Sequence, residues 1–204
     1  LVNVDSRWNM AIRKMYNYFR KDHEVEMVNL GFSGEGKMDM FMAEAMASID
    51  GVDAYVLDPI PNCTKDMCTN LTYDFVKKIR DEKPGVPIIM VEGPMYSYTK
   101  YDKFTKNYLA EKNAEWRKNY EKLKADNPDN LFYVTAEGLS GNDNEGTVDG
   151  IHFTDMGFRA YANKIIEVLK DLVKWCFKEL WRNWIIIPRG TSCICRSMEG
   201  TCRK

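Results

Sequence analysis

Val86-Pro87-Ile88-Ile89-Met90-Val91 is the stretch whose reading decides the fold. It is a continuous apolar run, preceded by the stop signal Lys83-Pro84-Gly85 and closed by Glu92-Gly93. A strand that alternates apolar and polar residues has one face in water; one that does not alternate is buried on both faces, as in parallel sheets. Two further runs read the same way, Ala54-Tyr55-Val56-Leu57, stopped by Asp58-Pro59, and Leu131-Phe132-Tyr133-Val134. Val25 to Leu30, ended by the glycine-rich Gly31 to Gly36, and the tail run Trp184 to Ile187 complete five predicted strands. Between them the apolar residues recur at helical spacing over Trp8–Phe19, Met38–Ile49, Met67–Arg80, Phe104–Ala125 and Thr154–Leu180. Strands alternating with helices predict a parallel sheet covered on both faces, in one α/β domain spanning residues 1–204.

Composition agrees and excludes several classes of function. The 204 residues are 45% apolar and 29% charged, a globular balance, with 13 Gly and 7 Pro, too few for a collagen-like or low-complexity chain. Twenty-nine basic against thirty acidic side chains give a net charge of −1, which offers no basic surface for nucleic acid. No run of 18 apolar residues exists to span a membrane. The six cysteines, Cys63, Cys68, Cys176, Cys193, Cys195 and Cys202, lack the paired CxxC and His spacing of a zinc site, so no metal is expected. Starting at Leu1, with no apolar leader or cleavage site, the chain reads as processed, trimmed or rearranged.

In an open parallel sheet the ligand crevice lies outside the carboxyl ends of the strands. Those ends carry Gly31–Gly36, Asp58–Thr64, Glu92–Tyr98, the Gly138–His152 loop and Gly190–Ser192, so every chemically suggestive segment maps to one edge. Only His23 and His152 are available for histidine chemistry. Asp149-Gly-Ile-His152 puts a carboxylate three residues before an imidazole, the arrangement that fixes the tautomer of a general base; a capping Asp beside a surface His gives the same spacing. Gly31-x-x-Gly34-x-Gly36 matches neither a dinucleotide fingerprint nor a phosphate loop, and Glu35 would repel phosphate. A backbone N–H offered to a reacting carbonyl, or a tight turn, are the uses left for those glycines. Asn62, just past a strand, has an amide that donates to an oxyanion or ties a turn, and Asn62-Cys63-Thr64 and Asn70-Leu71-Thr72 also spell glycosylation acceptors.

Three serines compete as nucleophile. Ser33 sits in Gly31-Phe32-Ser33-Gly34-Glu35, which fits GxSxG except at Glu35; Ser140 lies in a polar loop. Ser192 follows an apolar run through Gly190-Thr191, as a nucleophile at a strand's carboxyl end does.

Together these segments resemble the SGNH (GDSL-type) hydrolases, esterases and acylhydrolases on a flavodoxin-like three-layer α/β/α sandwich. The resemblance rests on Asn29-Leu-Gly-Phe-Ser-Gly34-Glu-Gly36, Leu57-Asp-Pro-Ile-Pro-Asn62, Pro87-Ile-Ile-Met-Val-Glu92 and, most specifically, Glu145 to Phe158, and it covers roughly residues 8–170. It implies a triad acid and base at Asp149 and His152, and oxyanion donors at Gly34, Asn62 and the nucleophile's own N–H. The family opens on a central strand and a Gly-Asp-Ser or Gly-Thr-Ser block, and nothing before Asn29 matches it. The tail Ile185-Ile-Ile-Pro-Arg-Gly190-Thr191-Ser192 resembles that block moved to the other end. The chain is accordingly expected to be a circular permutant: residues 184–204 supply the middle strand of a five-stranded sheet and Ser192 as nucleophile. The rival expectation is a fragment that has lost the block. The implied reaction is hydrolysis of a small acyl ester, acetyl first, on a carbohydrate, with Tyr96 and Tyr98 against the sugar. No cofactor is implied, and the implied compartment is a bacterial envelope or the exterior. A carbohydrate-binding module without catalysis is the alternative from another class, and a flavin or nucleotide carrier is disfavoured by Glu35.

Overall fold

The backbone path follows from burying parallel strands on both faces. The structure, a computed structural model, describes residues 28, 30, 31 and 34–172. Three strands, β1 (Tyr55–Leu57), β2 (Ile88–Val91) and β3 (Leu131–Val134), lie in the order β1-β2-β3, all parallel. Tyr55 pairs with Ile88, and Ile88 with Leu131, so the three runs start level. All residues of β1 and β2 are buried, which is why their sequences do not alternate.

The helices are α1 (Met40–Ala47), α2 (Lys65–Asn70), α3 (Thr72–Glu82), α4 (Lys103–Asp126) and α5 (Asp155–Leu172). Ala43 and Met46 of α1, Val76 and Ile79 of α3, and Trp116 and Leu123 of α4 form one core with Tyr55, Leu57, Ile88, Met90 and Leu131. Val56, Ile89 and Val91 point to the opposite face, are buried as well, and α5 packs against β3. Buried Lys112, Asn113, Trp116, Asn119 and Leu123 mark a narrow inward stripe on α4, whose other charged residues lie mostly on the remaining faces.

Most predicted elements are present, with instructive differences. Strand 131–134 has the bounds its apolar run gives, and the long charged helix, expected over 104–125, covers 103–126. The helix expected over Met67–Arg80 is instead two, α2 and α3. Thr64 caps α2 by accepting the Met67 N–H (3.2 Å), and the Thr72 hydroxyl back-bonds to the Cys68 carbonyl (2.7 Å), so the backbone turns at Leu71. Of the run Val25–Leu30 only Val28 and Leu30 are described, and the expected helix Trp8–Phe19 and strand Trp184–Ile187 lie outside the described residues, among which three of the five expected strands are present. No helix among the described residues is long and apolar enough to cross a membrane.

Where β2 ends, the chain must turn without wasting buried backbone groups. Asn113 of α4 supplies both partners: its Oδ1 accepts the Gly93 N–H (2.9 Å) and its Nδ2 donates to the Gly93 carbonyl (2.8 Å). Asn113→Ala would leave both groups buried and unpaired. The expected cost is on the order of 2–4 kcal/mol in urea unfolding, and a change within error would refute this assignment.

Candidate active site

Each strand ends at one edge of the sheet, and the polar residues gather there. After β3 the chain forms a loop whose tip carries Asp149 and His152. Thr147 and Phe153 make an antiparallel bridge, and the Val148 N–H donates to the His152 carbonyl (2.7 Å), closing a tight turn between them. Gly150 sits at that turn with φ +89°, a conformation costly for any other residue. Asp149 Oδ1 accepts the N–H groups of Ile151 (3.0 Å) and His152 (2.8 Å), and its Oδ2 lies 2.5 Å from His152 Nδ1. Hydrogen bonds from the His152 backbone, the His152 ring and the Ile151 N–H hold the Asp149 carboxyl well below the usual carboxylate range. An ionised carboxylate only accepts, so Nδ1 carries the proton of this bond and Nε2 becomes the ring nitrogen for base chemistry.

The loop is held against α5 at backbone level. Thr154 caps α5 by accepting the Gly157 N–H (3.2 Å), and its hydroxyl donates to the Glu145 carbonyl (2.7 Å). The Thr154 N–H reaches the Gly146 carbonyl (3.0 Å). A Cβ on Gly157 would stand 2.0 Å from the Gly146 carbonyl oxygen, and one on Gly146 would stand 1.6 Å from that of Ser140. Phe153 packs edge-on against Phe158 (5.4 Å between centroids) and at a tilt against Tyr161 (5.9 Å).

Of the other expected residues, those described follow strand β1 or line the loops near its end. Asn62 ends a 3₁₀ turn, Ile60–Asn62, directly after β1, and its N–H donates to the Pro59 carbonyl (3.0 Å). Gly34 lies in an exposed turn ahead of α1. Tyr98 covers Gly150, where a Cβ would come within 3.0 Å of its ring. Tyr96 is only 7% exposed and stacks flat on Tyr98, with centroids 6.0 Å apart. Ser192, Ser33 and His23 lie outside the described residues. Cys63 and Cys68 are buried free thiols, and among the described residues no group of three or more His, Cys, Asp or Glu is placed to hold a metal.

Two carboxylates that the sequence reading used only as strand ends prove to be buried at this edge. Glu92, past β2, accepts Arg117 Nε (3.1 Å) and Nη2 (2.5 Å) and the Tyr133 hydroxyl (2.8 Å) on Oε1, and the Ala136 N–H (2.7 Å) on Oε2. Asp58, past β1, accepts the Tyr161 hydroxyl on Oδ2 (2.6 Å), while its Oδ1 has no partner among the described residues. It borders a small cleft lined by Leu30, Gly36, Met38, Leu57 and Phe75. Burial pushes the Asp58 carboxyl up to about 7, against the opposing effect of the Tyr161 hydrogen bond. The signal was available as a carboxylate immediately following a fully buried strand, a place where polar burial needs a reason.

Two outcomes follow. Gly157→Ala should destabilise the fold by on the order of 3 kcal/mol, because backbone has to move to admit the methyl group; a thermal melt unchanged from the parent would overturn the packing argument. Between the ordinary carboxyl value of 3.8 and about 7, the folded state holds a proton on Asp58 that the unfolded chain has lost. The stability contributed by that proton therefore falls as pH rises through this window. Asp58→Asn, always neutral, should gain on the parent by about 1–3 kcal/mol between pH 5 and pH 8. Glu35, Lys37 and Asp39 line the same cleft, so the comparison is made between variant and parent at each pH. A constant difference would rule out the raised titration.

The profile of the GDSL-like lipase/acylhydrolase family matches residues 5–170. Among solved structures, the chain is similar to a protein from Bacteroides ovatus described as a GDSL-like lipase, at 31% identity and a TM-score of 0.72. That match covers 78% of this chain and 47% of the other, so the chain spans about half the length of that relative. It is also similar to the family 3 carbohydrate esterase of Clostridium thermocellum (15% identity, TM-score 0.54, 78% and 86% covered). A third likeness is to a peptidoglycan O-acetylesterase (18%, 0.50, 70% and 45%). At these two lower identities the likeness is one of fold. Comparison with curated proteins finds no significant match. With more than half its length matched by the family profile, the chain belongs to the GDSL-like lipase/acylhydrolase family.

Proposed function

We propose that the chain is a serine esterase that removes a small acyl group, acetyl first, from a carbohydrate through Ser192, His152 and Asp149. The observation that carries this reading is the 2.5 Å contact of His152 Nδ1 with an Asp149 carboxylate already fixed by two backbone N–H groups. That arrangement leaves the imidazole little freedom to turn and keeps its orienting carboxylate ionised. Family membership supports ester hydrolysis, and the carbohydrate esterase and O-acetylesterase likenesses support the substrate class.

In this reading Ser192 Oγ attacks the ester carbonyl while its proton passes to His152 Nε2. The N–H groups of Gly34 and Ser192 and the Asn62 amide donate to the oxyanion of the tetrahedral intermediate; loss of one such donor typically lowers kcat by about 10²–10³. Collapse expels the alcohol, which takes the proton from Nε2. Water then repeats the sequence on the acyl-enzyme and releases the acid. Asp149 stabilises the imidazolium and stays ionised throughout. Tyr98, backed by Tyr96, stands over Gly150 on the side where the sugar would lie. The reading takes residues 1–204 as one domain, with residues 184–187 completing the centre of a five-stranded sheet, so that Gly190-Thr191-Ser192 emerges at the same edge as His152.

Labelling with a fluorophosphonate, located by mass spectrometry, tests the assignment alongside turnover of p-nitrophenyl acetate. The expected result is label on Ser192, abolished in Ser192→Ala, and a fall in kcat of about 10³-fold or more in His152→Ala. Label on Ser33 would retain the esterase and replace the nucleophile. Neither label nor turnover, with sugar binding intact in Ser192→Ala, would replace the enzyme with a binding module.

A further inference from the structure

The base and an oxyanion donor of the proposed reaction come from distant parts of the chain. Asn62 closes the turn after β1, and His152 stands ahead of α5. A buried hydrogen bond links those two regions: Tyr161, in the second turn of α5, donates its hydroxyl to Asp58 Oδ2 at 2.6 Å, across 103 residues of sequence. Both side chains are almost wholly buried, with 1% of Tyr161 and 6% of Asp58 exposed, so water offers no substitute partner.

At each end of the bond a short, stiff path leads to a proposed functional group. Asp58 is followed by Pro59-Ile60-Pro61-Asn62, where two prolines fix φ and the Asn62 N–H is tied to the Pro59 carbonyl, so Asn62 follows Asp58. Tyr161 packs its ring on Phe153, which is held edge-on by Phe158 and by the bridge to Thr147. Phe153 adjoins His152, so the imidazole follows Tyr161.

We propose that Asp58 and Tyr161 form a positioning pair that holds the Asn62 turn and the His152 loop in register across the sheet edge. This rests on the roles given to Asn62 and His152 under the proposed function. Neither member touches the reacting atoms. Their work is to keep the oxyanion donor and the base at a fixed separation, where an error near 1 Å costs about 10²-fold in rate.

The test uses the full chain in a His23→Gln background, where His152 is the one remaining imidazole. Its Nδ1–H, held by Asp149, gives a downfield proton resonance that needs no substrate. In Tyr161→Phe, which keeps the ring and loses the hydroxyl, that resonance should move or broaden at temperatures well below Tm. The fluorophosphonate labelling rate and kcat on p-nitrophenyl acetate should fall about 10-fold, with KM changed less than about twofold. Asp58→Ala should reproduce the loss, and Asp58→Asn, which keeps an acceptor for the hydroxyl, should recover most of it. A variant with lowered Tm but an unaltered resonance, labelling rate and kcat would overturn the pair as a positioning device. If Tyr161→Phe does not fold, the contrast between Asp58→Ala and Asp58→Asn decides, and equal losses in the two would count against the proposal. Absence of labelling and turnover in the parent would instead sink the esterase reading, while the resonance still reports on the pair.

Discussion

A parallel sheet buried on both faces admits almost no polar side chain along its strands. Every residue of β1 and β2 is apolar and enclosed, apart from the Tyr55 hydroxyl, which donates to the Met46 carbonyl at 3.0 Å. Polar chemistry is therefore displaced to the first position past each strand, and there it appears at once: Asp58 after β1, Glu92 after β2, and the long loop to His152 after β3. The crowding of functional groups at one edge is a consequence of excluding them everywhere else.

Asp58 and Glu92 each stand just past neighbouring strands, one residue out of register and so on opposite faces of the sheet, and solve the cost of burial differently. Glu92 is surrounded by donors, with Arg117 and Tyr133 on one oxygen and the Ala136 N–H on the other, and the ion pair raises the Arg117 guanidinium further above its ordinary value. This carboxylate is a fully satisfied joint between α4, β2 and the start of the loop beyond β3. Among the described residues Asp58 has one donor for two oxygens, and burial answers by favouring its protonated form. One of the two carboxylates is finished as architecture. The other keeps, among the described residues, one oxygen without a donor beside the cleft lined by Leu30, Met38 and Phe75.

The sequence made the local parts of this arrangement legible and concealed the distant ones. Continuous apolar runs located β1, β2 and β3 because double-sided burial leaves its mark on consecutive residues. Asp149 and His152 were readable as a pair because they lie three residues apart and the turn between them needs Gly150. The break between α2 and α3 was missed because a threonine hydroxyl competing for the Cys68 carbonyl leaves the apolar period intact. The Asp58–Tyr161 bond left no trace in spacing, since 103 residues separate its ends and only the fold brings them together. The layering of Tyr96 beneath Tyr98 was not legible either, since it depends on Gly150 letting Tyr98 settle onto the turn from a distant loop.

The contact between Gly157 and the carbonyl of Gly146 bears on how such a site changes over evolutionary time or in the laboratory. The loop and the first turn of α5 touch backbone to backbone, with no side chain between them to shorten, lengthen or exchange. Specificity here is not open to gradual tuning by point replacement at the seam, and new loop shapes would have to arrive together with the helix start that receives them. The transferable unit is the whole segment from Gly138 through Tyr161. The exposed aromatics Tyr101 and Phe104, which no such seam constrains, are the positions free to vary one at a time.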